Sequence, residues 1–112
     1  MTKHVTVDNC TCDMAYQSME MKGEPGYPCT HIVVVNSKFF NAKKGLFAVG
    51  EDHNNVMISE NEFYNMSEVV FNVDAAGNDF HILKNTGTGN NHDKAGKAMD
   101  KVIYEANSLK GI

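Results

Sequence analysis

Three stretches of this chain write over one another at a fixed spacing, and that feature narrows the available folds most. HIVVVNSKFFNAKKGLFAVG, from His31 to Gly50, and NVMISENEFYNMSEVVFNVDAAG, from Asn55 to Gly77, align without gaps at an offset of 24 residues. Ile32 falls on Val56, Val34 on Ile58, Ser37 on Asn61, Phe39 on Phe63, Asn41 on Asn65, Phe47 on Phe71 and Val49 on Val73. HVTVDNCTCDMAYQSMEMKG, from His4 to Gly23, sits 27 residues before the second stretch, and the loop Glu24-Pro25-Gly26-Tyr27-Pro28 absorbs the excess. A shortened fourth stretch, DFHILKNTGTGN, sets Phe80 on Val56, Ile82 on Ile58 and Asn85 on Asn61. Inside each unit apolar residues alternate with polar ones, as at Val5 and Val7 or Val56 and Ile58, which is strand periodicity. A unit of this size cannot bury its own apolar face. Stacking unit on unit does bury it, each strand pairing with its equivalent in the next unit, which describes a parallel β-solenoid. A small antiparallel sandwich would explain the alternation but not the match column by column.

Two strings sharpen this. Ile58-Ser59-Glu60-Asn61-Glu62-Phe63-Tyr64-Asn65 and Val34-Val35-Asn36-Ser37-Lys38-Phe39-Phe40-Asn41 resemble the coil repeat of right-handed parallel β-helices, the pectin-lyase-like fold. The resemblance spans residues 4–90 and implies a strand, a tight turn with a stackable polar residue, and a buried aromatic opening the next strand. It speaks to architecture, since many unrelated functions share such coils. Cys10, Cys12 and Gly87 depart from the Asn and Phe columns, as end units of solenoids commonly do. The expected fold is a single domain over residues 1–112, a short right-handed parallel β-helix of about three and a half coils. Thr86-Gly87-Thr88-Gly89-Asn90-Asn91 reads as a turn-rich break. After it, Ala95, Ala98, Met99, Val102, Ile103, Ala106 and Leu109 fall at helical spacings, so a C-terminal α-helical cap is expected over 92–110. That helix either closes the coil or docks on another chain.

Stacking assigns the surface. With Val5, Ile32, Val56 and Phe80 pointing inward, the opposite side of the same strands carries Val33, Val35, Met57, His81 and Leu83. Adjacent exposed apolar residues on a small protein usually mark a contact, so these five form the expected interface, with a partner protein or a second copy. Corner loops stack too, gathering Glu24, Glu51, Asp52, Asp74 and Asp79 along one acidic edge with His53. Paired carboxylates there suit Ca²⁺ or acid–base work, though turn residues of this kind are more often solvated. His4 and His31 form an outward pair.

Composition excludes more than it assigns. All ten basic residues are Lys, against 14 acidic residues, for a net charge of −4, which argues against nucleic acid and denies anion sites a guanidinium fork. No apolar run reaches membrane-spanning length. The spacing Cys10-x-Cys12…Cys29-x-His31 is not a standard zinc knuckle, and the stacking separates its members, so no metal or other cofactor is expected. Three cysteines, seven methionines and no signal-like start fit a reducing, cytoplasmic setting. No Ser–His–Asp pattern, phosphate loop or dinucleotide fingerprint occurs. The expectation is a non-catalytic protein-binding module of the inhibitor or immunity type, bacterial or phage in origin. The runner-up is a carbohydrate-active or carbohydrate-binding coil, which the pectin-lyase-like resemblance implies.

Overall fold

The computed structural model describes residues 3–13, 16–91 and 95–111. The chain winds as a parallel solenoid with three sides. The first side is a five-stranded sheet of β1 (Lys3–Asp8), β4 (Thr30–Val35), β7 (Asn54–Ser59), β9 (Phe80–Leu83) and β11 (Ile103–Glu105), in that order. Five rungs make about four turns. The second side stacks β2 (Thr11–Asp13), β5 (Lys38–Phe40), the first part of β8 (Glu62–Val73), β10 (Thr86–Asn91) and β12 (Ser108–Gly111). The third pairs β3 (Gln17–Lys22) with β6 (Lys44–Val49) and β6 with the second part of β8. Every paired strand is parallel, and Val5, Ile32, Val56 and Phe80 stand in one column as the repeat requires.

The corners explain the Asn-rich composition. Asn9, Asn36, Glu60, Lys84 and Ala106 all adopt φ between 51° and 58° at the turn from the first side to the second. His4, His31, Asn55 and Asp79 do the same where the chain enters the first side, and Asn41 (φ 59°) and Asn65 (φ 61°) are left-handed at the third corner. A left-handed residue costs a non-glycine about 1–2 kcal/mol, least for Asn and Asp, whose short polar side chains bond locally. Inside the first corner a polar ladder closes the coil. Ser37, Asn61 and Asn85 are buried, and Asn107 is half-buried. The Ser37 N–H donates to Asn61 Oδ1, the Asn61 N–H to Asn85 Oδ1 and the Asn85 N–H to Asn107 Oδ1, each at 3.0 Å. Asn61 Nδ2 donates to the Val34 carbonyl, Asn85 Nδ2 to that of Ile58, and Asn107 Nδ2 to that of Ile82.

Three expectations are corrected. Ile103–Glu105 and Ser108–Gly111 are strands of a fifth rung, not a helix; Met99–Lys101 is a single 3₁₀ turn, and 92–94 lie outside the described residues. Tyr104 pairs with Ile82 and Leu109 with Gly87, at an offset of 22. Satisfying the open edges of β9 and β10 outweighs a marginal amphipathic stripe. Second, Thr86–Asn91 is strand β10 rather than a break. A Cβ at Gly87 would strike the Phe63 carbonyl, so this glycine marks close backbone approach rather than a turn. Third, the gapless alignment slips by one residue after Asn65. The Lys43 carbonyl accepts from both Glu68 N–H (2.9 Å) and Val69 N–H (3.2 Å), a bulge that moves the third side to an offset of 25. Leu46 therefore stacks on Phe71 and Ala48 on Val73, all buried, while Phe47 and Val49 turn outward.

Candidate binding face and loop edge

The outward side of the five-stranded sheet is built by register. Thr6, Val33, Met57, His81 and Ile103 lie on successive strands in one row. Asp8, Val35, Ser59, Leu83 and Glu105 form the next row. Val33, Val35, Met57, His81 and Leu83 are thus brought onto one surface, each half-buried by its neighbours. No described element lies over them. Ile103, 42% exposed, extends the first row; sequence reasoning missed it by placing it in a helix. The signal was present, because Ile103-Tyr104-Glu105-Ala106-Asn107 matches His81-Ile82-Leu83-Lys84-Asn85 once an offset of 22 is allowed. The rim carries Asp8, Glu60, Asp79 and Glu105, all exposed, against Lys84 and Lys101. At one border His4 stacks on His31, with ring centroids 4.5 Å apart.

The acidic loop edge serves the loops themselves. Glu51 Oε1 accepts the Gly26 N–H (3.0 Å), Asp74 Oδ1 accepts the Lys97 N–H (3.1 Å), and the Asp52 carbonyl accepts Asn54 Nδ2. Glu24 and Asp79 are exposed, Asp79 at a left-handed corner. His53 does not join this edge. It is fully buried, and its Nδ1 accepts the Cys29 N–H at 2.9 Å. A backbone N–H only donates, so Nε2 carries the ring proton and donates to the carbonyls of Val49 (3.0 Å) and Met21 (3.1 Å). The imidazole therefore bridges rungs as a structural group. Among the described residues no cluster of three or more His, Cys, Asp or Glu is arranged to hold a metal ion. Cys10, Cys12 and Cys29 are free thiols, exposed, half-buried and buried in turn. No described helix is long and apolar enough to cross a membrane.

The second side carries an outward aromatic pair that sequence reasoning passed over. Phe40 and Tyr64 stack at 5.7 Å and 24°, opposite in register to the buried pair Phe39 and Phe63. Their signal was the doubled aromatic at the same place in both units, one ring inward and one outward. The Tyr64 hydroxyl donates to Glu62 Oε1 at 2.6 Å. That bond to a carboxylate, with partial desolvation and the Glu62 charge, raises the Tyr64 pKa above its ordinary 10.0, against a smaller lowering by Thr86. The neutral phenol is the form the fold favours. Its stabilisation is complete below pH 10 and disappears as pH rises through the raised value. Tyr64 is expected to ionise above the ordinary tyrosine value when its titration is followed by NMR at that ring, and Glu62→Gln is expected to lower that step. A Tyr64 step that Glu62→Gln leaves in place would refute this origin.

Comparison with known proteins finds no matching family, curated protein or solved structure. The fold and surface therefore define a class only: a short parallel β-solenoid with an apolar sheet face that no described element covers.

Proposed function

We propose that this chain is a non-catalytic protein-binding module whose working surface is the outward face of the five-stranded sheet. One observation carries the reading: Val33, Met57, Ile103, Val35 and Leu83 lie on in-register neighbouring strands with no described element above them. Adjacent outward apolar side chains on successive strands of a small protein usually mark a contact with another surface. The partner that fits is a different protein with an apolar patch ringed by basic groups. Two-fold pairing of the face with itself would bring two acidic rims together, Asp8, Glu60, Asp79 and Glu105 outnumbering Lys84 and Lys101 on each, which disfavours a self-dimer here. An acidic inhibitor or immunity-type protein of bacterial or phage origin, working in a reducing cytoplasm, is the finer form of this reading. Its supports are the net charge of −4 and the three free thiols.

The test compares affinity capture with wild-type chain, Met57→Asp/Leu83→Asp, and the control Phe47→Asp on the third side. The expected result is a partner held by wild type and by the control, its Kd raised at least about 100-fold by the face variant, as hot-spot loss implies. Capture indifferent to the face variant, or no stoichiometric partner, would sink the proposal.

A second reading keeps the pectin-lyase-like resemblance in play. The stacked Phe40–Tyr64 pair adjoins a shallow cavity of about 280 Å³ lined by Thr86, Thr88, Ser108 and Lys110, a surface suited to a sugar ring. Oligosaccharide binding lost in Tyr64→Ala but kept in Met57→Asp/Leu83→Asp would favour this carbohydrate-binding coil.

A further inference from the structure

The two ends of the solenoid carry an interaction surface distinct from the sheet face. At the N-terminal end, among the described residues, β1, β2 and β3 each pair on one side only, with β4, β5 and β6. Their edges ring a mouth of about 480 Å³ lined by Val5, Val7, Cys12, Met19, Met21 and Phe39. Val5, which belongs to an otherwise buried column, is 38% exposed there. Ser18, also in the lining, holds a buried hydroxyl without a hydrogen-bond partner among the described residues. At the other end, among the described residues, β11 and β12 pair only with β9 and β10, and Tyr104 and Leu109 lie half-buried against the core.

These ends complement one another because a coil repeats. One inward column runs Val7, Val34, Ile58, Ile82, Tyr104. Another runs Cys12, Phe39, Phe63, Gly87, Leu109. Tyr104 and Leu109 are five residues apart, as are Val7 and Cys12. We propose that the mouth takes the last rung of a second copy of this chain, so that Tyr104 meets Val7, Leu109 meets Cys12, and the columns run on. An extended peptide would satisfy one of the three edges. A last rung satisfies β1 and β2 together and places two large apolar side chains in the mouth. Charge agrees on the second side: with Leu109 set on Cys12, the next residues along, Lys110 and Asp13, are both exposed and would meet across the junction. Glu105 falls beside Asp8, a like-charge pair on the first side that opposes the attraction of Asp13 and Lys110 on the second, so the apolar contacts of Tyr104 and Leu109 carry the junction. This contact is head-to-tail and does not close, so it builds rods. Each copy adds five rungs, about 24 Å at the ~4.8 Å spacing of strands.

The test is sedimentation velocity and small-angle scattering on the 112-residue chain under reducing conditions, over a wide concentration range. Mass is expected to grow with concentration without stopping at a dimer, with the scattering cross-section constant. Val7→Asp and Leu109→Asp are each expected to stop growth. Mixed, they form a 1:1 heterodimer through their two intact ends, a result no symmetric face-to-face contact gives. Circular dichroism checks that both remain folded. A surface pair covers the case where either does not: Asp13→Lys and Lys110→Asp each weaken association about tenfold, and the two in one chain restore it. A monomer at every concentration, a plateau at dimer, an absent heterodimer from folded variants, or a charge swap without restoration would each overturn the proposal. The sheet-face variant Met57→Asp/Leu83→Asp leaves rod growth unchanged, which keeps this result separate from the proposed function.

Discussion

Asn61→Ala is expected to cost roughly 3–5 kcal/mol in urea unfolding, a large part of the 5–15 kcal/mol a domain usually has. Asn61 is buried at 1% exposure and occupied on every side. Its Oδ1 accepts the Ser37 N–H, and its Nδ2 donates to the Val34 carbonyl (2.9 Å) and to Asn85 Oδ1 (3.1 Å). Truncation leaves the Ser37 N–H and the Val34 carbonyl buried without partners, each worth about 1–3 kcal/mol. Nothing in the alanine variant can turn to meet them, because both backbone groups are fixed by the corner. Asn61→Ser is expected to recover about half, since Ser37 performs the accepting half of the task one rung earlier: its Oγ accepts the Cys10 N–H, while its hydroxyl donates to the Val35 carbonyl of its own rung rather than to the rung before. Asn61→Asp should resemble alanine or be worse, because a carboxylate cannot donate to Val34. Position along the coil matters as well. Asn107→Ala, at the half-buried end of the ladder, should cost only about 1 kcal/mol. Equal costs for Asn61→Ala and Asn107→Ala would show that the ladder does not act as described.

The parts of this fold that were legible in sequence were those where one spacing held. Ile32 on Val56, Phe39 on Phe63 and Asn61 on Asn85 were readable because 24 residues make one turn there, and their stacking identified the outward face from Val33 to Leu83. Legibility failed where the spacing changed. At Lys43 one extra residue enters, and both LFAV and VFNV look correct in either register. Matching Phe47 to Phe71 chose the wrong one, although a one-residue slip exchanges inside for outside. At the C-terminal end a turn shortens to 22 residues, and a rung with apolar residues at 102, 103, 106 and 109 imitates a helical stripe. Asn107 was the discriminating residue, being required by the ladder and by no helix. His53 misled for another reason: its flanking Glu51, Asp52 and Asn54 are loop-like, while its ring reaches inward to the Cys29 N–H.

Those same corrections change the functional surface. Replacing the helix by strands leaves the sheet face uncovered among the described residues, and it adds Ile103 to the row begun by Val33 and Met57. It also replaces a closed end with a rung whose edges are open. A rigid coil suits both roles, since strand pairing fixes the side-chain rows without loops that must order on binding. The face depends on the core beneath it, because Val33 and Met57 keep their spacing only while Ile32, Val34, Val56 and Ile58 remain packed on the opposite side of the same strands.

That dependence makes Phe63 the side chain whose truncation should be felt furthest. It is fully buried, stacked on Phe39 at 5.0 Å and met edge-on by Phe71 at 5.2 Å and 77°. The backbone around it is shaped to its ring: a Cβ at Gly45 would lie 2.7 Å from its Cδ1, and Gly87 passes over its carbonyl on the next rung. Phe63→Ala removes the ring from a surround built of strand backbone, which cannot collapse into the void while its ladder bonds hold. The expected loss is about 3–5 kcal/mol, and Phe63→Leu should lose about 1–2 kcal/mol by filling part of the space. A dry apolar void of this kind takes up small aromatic molecules. Benzene is therefore expected to raise the melting temperature of Phe63→Ala and leave wild type unchanged. A loss below about 1.5 kcal/mol would mean that the rungs do close over the gap, since that is the range of tolerated core swaps. In that case partner binding at Met57 and Leu83 should survive Phe63→Ala. With the void held open, the core shared with Ile32, Val34, Val56 and Ile58 loosens, and the same variant is expected to weaken partner binding although Phe63 lies on the second side and touches no partner.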